Sequence, residues 1–306
     1  MPLKKIVFVV GPTAVGKSQV AFHLAQKLNG EIISCDSMQV YKEISIASNK
    51  TLKTLRKAVR HHLIDIVSIA KSYDAAAFRQ KALKTIDAIH KKGKIPIVAG
   101  GTGLYMSILL DGIFKGGQKS VRLRQQLERE AKQKGEEALY QKLQKMDLES
   151  AAKIHPHNTR KIIRALEVVL KSKRPISKLQ KERKGLWGQY AIDCFALSIP
   201  RERLYERINQ RVDQMFAHGI VDEIKCLERK KWSPTAKGII GFKEIKGYLD
   251  GIYDLERAKY LMKLNTRHYA KRQMTWFRKD KRLSWIAMED NDTPVRVAEK
   301  IVQYLK

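Results

Sequence analysis

Two short stretches hold residues whose types and spacing suit chemistry. The first, "GPTAVGKS" (11–18), has the spacing G-x-x-x-x-G-K-[ST]. In such a loop, backbone N–H groups bind phosphate oxygens, the lysine adds a positive charge, and the final hydroxyl can ligate Mg²⁺. The stretch predicts a phosphate site formed by Gly11, Pro12, Thr13, Ala14, Val15, Gly16, Lys17 and Ser18.

The second stretch, "CDSMQVY" (35–41), directly follows the apolar run "EIIS" (31–34). It brings an acid, a hydroxyl and an amide, Asp36, Ser37 and Gln39, to the end of what reads as a buried strand. A nucleotide kinase does not require this set so soon after its phosphate loop. The composition of the stretch therefore points to a reaction other than simple nucleotide phosphorylation.

Alternating strands and helices must position both stretches. "KIVFVV" (5–10) and "QVAFHLAQKL" (19–28) read as a strand and an amphipathic helix on either side of the phosphate loop. "GEIISC" (30–35) and "KIPIVAG" (94–100) read as further buried strands, and "YAIDCFALSI" (190–199) as a later one. This order predicts an α/β fold, a P-loop NTPase-like parallel sheet flanked by helices with right-handed crossovers.

A basic helical segment interrupts this pattern. Residues 115–184 have helical periodicity with no convincing strand, and hold 20 Lys and Arg against 8 Asp and Glu, a net charge of +12. We expect a catalytic core at 1–113 and 190–306, and an all-helical insertion at 114–189.

The charge of the whole chain indicates a polyanionic partner. The formal net charge is +30, from 61 Lys and Arg against 31 Asp and Glu, which is large for an enzyme with only small substrates. A basic surface that serves general solubility is the alternative. The three cysteines include no C-x-x-C pair, which argues against a zinc knuckle or a disulfide framework. The N-terminal apolar run, Ile6 to Val10, is too short for a signal peptide or a membrane span, so we expect a cytoplasmic protein without a membrane partner.

Nine blocks in order along almost the whole chain resemble one family, the tRNA dimethylallyltransferases, also called tRNA isopentenyltransferases. The blocks are "GPTAVGKS" (11–18), "DSMQVY" (36–41), "HHLID" (61–65), "YDAAAFR" (73–79), "PIVAGGTGLY" (96–105), "IHPHNTRKIIRALEV" (154–168), "ERINQRVDQMFAHGIVDEI" (206–224), "GIIGFKEI" (238–245) and "TRHYAKRQMTWFR" (266–278). Eukaryotic relatives carry a C-terminal zinc-finger extension. The sequence up to Lys306 shows no such motif, so we expect the bacterial type.

The resemblance implies a reaction. A dimethylallyl group passes from dimethylallyl diphosphate to N6 of the adenine at tRNA position 37, next to the anticodon, and diphosphate leaves. The phosphate loop then holds a leaving group, with Mg²⁺ as cofactor and Ser18 as its ligand, and no phosphoryl group is transferred. We expect the enzyme to act as a monomer.

Several residues match catalytic positions of the family. Asp36 matches the catalytic aspartate and is a suitable general base for N6. Thr102 matches a threonine that contacts the target nucleotide, and Arg211 matches an arginine that binds diphosphate. Ser37 and Gln39 are expected to hydrogen-bond the base edge, and Met38 between them to pack. The segment formed by Asp36, Ser37, Met38 and Gln39 is predicted, together with Thr102, to be part of the tRNA-binding surface.

Other residues match the tRNA-contact regions of the family. Arg122 is expected to contact tRNA, with Arg124 as the alternative. Two further segments are predicted to contact tRNA: Arg160, Lys161, Ile162, Ile163 and Arg164, and then Gly238, Ile239, Ile240, Gly241, Phe242 and Lys243. The family usually has tyrosine where this chain has Phe242, so a hydrogen bond is lost there.

Two other classes of protein compete with this interpretation. A P-loop kinase for a nucleoside or small metabolite explains the loop and the sheet, but not the charge of +30 or "DSMQ" (36–39). A nucleic-acid-binding NTPase requires an acid near Mg²⁺, and Asp36 would then be a metal ligand rather than a base.

Overall fold

The computed structural model describes residues 3–114 and 120–305 and divides into two compact units. The first unit is made of Met1–Leu109 and Gly188–Lys306, and the second of Leu110–Trp187. Residues 115–119, at the start of the predicted insertion, lie outside the described residues, as do 1, 2 and 306.

The first unit is built on one sheet of six parallel strands in the order β3-β2-β4-β1-β5-β6. The strands are β1 (Lys5–Val10), β2 (Gly30–Ser34), β3 (His61–His62), β4 (Ile95–Gly100), β5 (Ala191–Ser198) and β6 (Ser284–Ala287). The prediction of a parallel α/β sheet is confirmed.

Fourteen α-helices occur in the described residues, and the second unit contains the fifth to the ninth. They are α1 (Lys17–Lys27), α2 (Lys53–Ala58), α3 (Ala75–Lys91), α4 (Gly103–Leu110), α5 (Val121–Lys134), α6 (Glu136–Met146), α7 (Leu148–Ala151), α8 (Thr159–Ser172), α9 (Ile176–Lys181), α10 (Arg201–Ala217), α11 (Ile220–Leu227), α12 (Phe242–Leu249), α13 (Leu255–Phe277) and α14 (Pro294–Tyr304). Across residues 3–114 and 120–305, none of them is both long and apolar enough to cross a membrane.

The centre of the sheet explains where the polar loops lie. Ile6 to Val10 of β1 are almost fully buried because helices cover both faces of a parallel sheet. Val10 pairs with Gly100 of β4, and Ser34 of β2 pairs with Ala99 of the same strand. Because β2, β4 and β1 are neighbours and parallel, the loops that follow them all leave from the edge formed by the C-terminal ends of the strands. That edge is where α/β proteins bind ligands.

The second unit has its own apolar core and a buried carboxylate. Leu127, Leu139, Leu143 and Leu166 are among the core residues supplied by α5, α6 and α8. Glu167 of α8 is fully buried.

Three donors bind the Glu167 carboxylate. Arg124 donates from Nε at 3.0 Å and from Nη2 at 2.8 Å, while Arg164 donates at 2.6 Å and the backbone N–H of Ser120 at 2.6 Å. Burial alone would raise the pKa of Glu167, but these bonds outweigh it and lower the pKa to about 2. The ionised carboxylate therefore ties α5 to α8.

Candidate active site

The phosphate loop joins β1 to α1. Gly16 precedes the helix with φ of 102°, a conformation that L-residues with side chains rarely adopt. No side chain caps the N-terminus of α1, so N–H groups of its first turn remain available to an anion, and the helix dipole favours a negative charge there. The Lys17 Nζ lies across the loop and donates to the Pro12 carbonyl at 2.5 Å. The loop thus has the form of a phosphate cradle.

Two cations beside the loop are partly removed from water. Burial lowers the pKa of Lys17 to about 7; nearby Asp36 opposes this shift, and Arg211 adds to it. Burial also lowers the pKa of Arg211, again with Asp36 acting in the opposite direction. Burial disfavours the positive charge of both side chains, and a nearby negative charge restores it. A multiply charged anion bound here would therefore interact strongly with both Lys17 and Arg211.

Arg211 and Gln273 hold Thr13, in the middle of the loop, from two different helices. The Arg211 Nη1 of α10 donates to the Thr13 Oγ1 at 2.7 Å. The Thr13 N–H donates to the Gln273 Oε1 of α13 at 2.9 Å, and the Gln273 Nε2 donates to the Gly101 carbonyl at 2.7 Å. One buried amide therefore connects the phosphate loop to the turn after β4.

Asp36 lies in the turn that follows β2. Its Oδ1 accepts from the backbone N–H groups of Met38 at 2.8 Å and Gln39 at 3.3 Å. The carboxylate therefore caps its own turn, which fixes its position. It also lies close enough to influence Lys17 and Arg211 electrostatically. The structure thus places an acid and the two cations of the phosphate loop in one site.

The turn after β4 contacts the turn after β2. The Ser37 N–H donates to the Thr102 Oγ1 at 3.1 Å, and the Thr102 N–H donates to the Cys35 carbonyl at 3.1 Å. A Cβ at Gly100 would lie 2.2 Å from the Cys35 carbonyl oxygen, so only glycine permits this approach. Burial raises the pKa of the Cys35 thiol, which favours the protonated thiol over the thiolate. Thr102 and Asp36 are thereby held on adjacent turns.

Gln39 and Met38 have contacts that the sequence did not predict. The Gln39 Oε1 accepts from the Ser34 Oγ at 2.9 Å, and its Nε2 donates to the Asn49 carbonyl at 3.3 Å. These bonds use one donor and one acceptor of the amide, so Gln39 holds its own loop and keeps one of each for a ligand. The Met38 Cε lies 3.8 Å from the position that a Cβ on Gly238 would take, which brings two predicted tRNA-contact segments together.

The segment 238–243 is only partly exposed. Gly241 precedes α12 with φ of 109°, and its N–H donates to Glu244 at 2.8 Å. The Phe242 ring packs against Trp232 with centroids 4.4 Å apart. Ile239 is buried and Ile240 half-buried, whereas Gly238 and Lys243 are exposed. The side chain of Ile239 belongs to the core, and the prediction that the segment contacts RNA stays a prediction.

The segment 160–164, at the start of α8 in the second unit, also contains both exposed and buried residues. Arg160 and Lys161 are exposed, Ile162 and Ile163 are buried in the core, and Arg164 pairs with Glu167. The side chains of Ile162 and Ile163 belong to the core of the second unit, and the prediction that this segment contacts RNA stays a prediction.

Arg122 and its alternative Arg124 differ in the same manner. Arg124 is held by Glu167 inside the second unit, whereas Arg122 is exposed. Arg122 is therefore the better placed of the two for a solvent-side contact.

The metal prediction fits the donors that are present. Ser18 lies exposed in the first turn of α1, and Asp36 lies close to Lys17 of the same loop. A hydroxyl and a carboxylate are hard oxygen donors, which suit a Mg²⁺ that keeps waters and substrate phosphates as its other ligands. Residues 3–114 and 120–305 contain no group of three or more His, Cys, Asp or Glu able to hold a metal ion by themselves.

Gln273 and Tyr269 are site residues that the sequence prediction missed. Burial raises the pKa of Tyr269, which lies near Asp36 and shares a hydrogen bond with Thr102. The two residues are one turn apart, so α13 presents both to the turn 101–102. The block "TRHYAKRQMTWFR" (266–278) was a signal for this region, but it did not separate inward from outward residues.

The chain is similar to known proteins in sequence and in structure. Residues 39–280 match the model of the IPP transferase family. The tRNA dimethylallyltransferase of Carboxydothermus hydrogenoformans is 43% identical over 301 residues, which cover 98% of this chain and 96% of the relative. The tRNA dimethylallyltransferase of Acetivibrio thermocellus is 41% identical, with coverage of 99% and 98%.

Solved structures give the same result. The full-length tRNA isopentenylpyrophosphate transferase from Bacillus halodurans is 39% identical with a TM-score of 0.73, covering 99% of this chain and 97% of the other. A eukaryotic dimethylallyltransferase acting on tRNA is 32% identical with a TM-score of 0.82, covering 98% of this chain and 77% of the other. The phosphate loop, the acid beside it and these full-length matches lead to one conclusion: the chain belongs to the IPP transferase family.

Proposed function

We propose that this protein transfers a dimethylallyl group from dimethylallyl diphosphate to N6 of the adenine at tRNA position 37, with release of diphosphate. The observation that carries the proposal is the meeting of Asp36 with Lys17 and Arg211 at one edge of the sheet. A base and an anion cradle in one site suit a reaction in which a nucleophile loses a proton while a diphosphate leaves.

Asp36 is the proposed general base. The exocyclic amine of adenine is a weak nucleophile because its lone pair is delocalised into the ring. As N6 bonds to the allylic carbon, Asp36 accepts a proton from it, and the bonds from Met38 and Gln39 keep the carboxylate aimed. Thr102 and Ser37 lie beside it and position the base edge.

The phosphate loop stabilises the leaving group. Negative charge accumulates on the diphosphate as the allylic C–O bond breaks, and Lys17, Arg211 and the N-terminus of α1 face that charge. Ser18 would hold Mg²⁺, which would neutralise charge on the diphosphate. Gln273 holds the phosphate loop at a fixed distance from the turn after β4, which carries Thr102.

The RNA must present one unstacked base to this site. An adenine inside a stacked loop cannot reach a half-buried carboxylate, so the target base is flipped out. The exposed Arg122, Arg160 and Lys161 of the second unit contact the anticodon region through phosphates. The protein acts as a monomer, and its site of action is the cytoplasm, where tRNA is available to it.

Label transfer tests the proposal directly. The protein is incubated with radiolabelled dimethylallyl diphosphate, Mg²⁺ and an anticodon stem-loop with adenines at positions 36, 37 and 38. We expect label on the RNA and none when the adenine at 37 is replaced by guanine. No label together with rapid turnover of ATP would instead support a kinase or an NTPase.

A further inference from the structure

One carboxylate that the reaction described above does not use organises a turn just after the catalytic stretch. Glu223, in the first turn of α11, accepts from three consecutive backbone N–H groups. Its Oε1 accepts from Ser45 at 2.6 Å and from Ile46 at 2.8 Å, and its Oε2 accepts from Ala47 at 2.9 Å. Residues 45–49 are here named the Glu223 turn, because both oxygens of this carboxylate bind its backbone.

The helix that carries Glu223 does not by itself explain these contacts. An acid in the first turn of a helix is favoured by the helix dipole, and Asp222 beside it meets that condition while exposed to solvent. Glu223 instead reaches another segment of the chain. Within residues 3–114 and 120–305, no lysine or arginine lies within ion-pair distance of its carboxylate. Its charge is therefore balanced by the N–H groups of the turn, and hydrogen bonds to a charged acceptor are stronger than neutral ones.

The Glu223 turn also holds the amide of Gln39. Within the turn, the Asn49 N–H donates to the Ile46 carbonyl at 2.9 Å, and Asn49 has φ of 45°, a left-handed conformation in which asparagine is enriched. The Asn49 carbonyl accepts from the Gln39 Nε2 at 3.3 Å, while the Gln39 Oε1 accepts from the Ser34 Oγ at 2.9 Å. Because the two ends of an amide differ, these bonds fix which end faces each partner.

We propose that Glu223 is a positioning residue for prenyl transfer, which acts through the Glu223 turn on the orientation of the Gln39 amide. An amide of fixed orientation can donate to a ring nitrogen of adenine and accept from its exocyclic amine. If the turn relaxes, the Gln39 amide can rotate, and the base is then held less accurately against Asp36. The inference rests on the proposed function, since it concerns the base whose N6 is modified.

A double-mutant cycle on the single-turnover rate at saturating stem-loop tests this coupling. Glu223→Gln keeps the size of the side chain, but it removes the charge and turns an NH₂ group toward an N–H group of the turn. We expect the rate to fall about tenfold with the Kd for the stem-loop unchanged, because alignment is lost and RNA affinity is not. Gln39→Ala should also be slow, and Glu223→Gln should cause no further loss in that background. Losses that multiply would overturn the proposal.

A second carboxylate provides the matched control. Glu43 accepts from the Ser68 Oγ at 2.8 Å and from the Ile69 N–H at 3.0 Å, so it binds a different turn in the same unit. Glu43→Gln should transfer label at the wild-type rate, and equal slowing in Glu43→Gln and Glu223→Gln would overturn the proposal. If Glu223→Gln does not fold, Glu223→Asp carries the cycle, because its carboxylate is one methylene too short to bind all three N–H groups.

The NMR signals of the Gln39 side-chain amide separate this inference from the proposed function. In ¹⁵N-labelled protein these signals are assigned by their absence in Gln39→Ala, and they should shift in Glu223→Gln but not in Glu43→Gln. If the wild type transfers label and Glu223→Gln has the same rate, the inference fails and the transferase proposal stands. If the wild type transfers no label while Glu223→Gln shifts the Gln39 signals, Glu223 positions Gln39 and the transferase proposal fails.

Discussion

The active site of the first unit and the helical second unit use charged side chains in opposite ways. At the active site, Lys17 and Arg211 are half-buried, and burial lowers the pKa of both. In the second unit, Arg122, Arg160 and Lys161 face solvent. Desolvated charge gives strong interactions at short range, while exposed charge gives salt-dependent attraction to a polyanion. From this difference we expect chemistry and RNA affinity to be carried by separate sets of residues.

The largest expected effect comes from Asp36. Asp36→Asn keeps an oxygen for the N–H groups of Met38 and Gln39 but cannot accept the proton from N6. Removing a general base lowers the rate by about 10²- to 10⁴-fold, so the single-turnover rate should fall in that range while the Kd for the stem-loop stays unchanged. A parallel loss of RNA affinity would show that the two sets are not separate.

Lys17 provides the second test and has a pH signature. Lys17→Met should lower the affinity for dimethylallyl diphosphate about 10²- to 10³-fold, as measured by calorimetry, with RNA affinity retained. The folded pKa is about 7 against an ordinary value of 10.5, so between these pH values the unfolded chain binds more protons than the folded chain. The free energy of unfolding of the wild type should therefore rise from pH 7 to 10.5 relative to Lys17→Met.

The pH series has a clear negative outcome. If the stability difference between wild type and Lys17→Met, from urea unfolding, does not change over that range, then Lys17 is not desolvated. Diphosphate binding at pH 8 should also take up protons, because the bound anion restores the charge of Lys17. Calorimetry in buffers of different ionisation enthalpy measures this uptake.

Gln273 provides a third, smaller test within the active site. In Gln273→Glu the side chain still accepts from the Thr13 N–H but can no longer donate to the Gly101 carbonyl. We expect the saturated single-turnover rate to fall about 10- to 100-fold, because a small shift between the phosphate loop and the turn after β4 misaligns the reacting atoms. Thr266→Val is the matched control, since Thr266 is buried on the same face and its hydroxyl donates to the Met262 carbonyl of its own helix. Equal rates in both variants would make Gln273 a packing residue.

The smallest effect per residue is expected in the second unit. Arg122→Ala, Arg160→Ala and Lys161→Ala should each weaken stem-loop binding a few-fold and lower the salt slope by about one, with the saturated rate unchanged. Lys153→Ala is a control on an exposed lysine that pairs with Glu149 at 2.8 Å. A flat salt response in all variants would remove this surface as the RNA-binding face.

Much of the fold and half of the site could be predicted from local sequence. The phosphate loop and Asp36 at the end of β2 follow from patterns of a few residues. The strands β3 and β6 did not, because two and four residues are too few to show periodicity.

Gln273 could not be predicted because its partner Thr13 is 260 residues away, and only the packed fold brings them together. Ile162 and Ile163 are different, because their apolar side chains already separate them from Arg160 and Lys161 in the amphipathic pattern of α8. The prediction grouped all four because it followed a block of sequence and not that pattern.

The single-turnover rate of dimethylallyl transfer at saturating stem-loop tests this division most directly. It is measured for the wild type, for Asp36→Asn, and for a variant that combines Arg122→Ala, Arg160→Ala and Lys161→Ala. We predict that Asp36→Asn is slower by about 10²- to 10⁴-fold and that the triple variant reaches the wild-type rate once saturated. A wild-type rate in Asp36→Asn, or a slow saturated rate in the triple variant, would contradict the account.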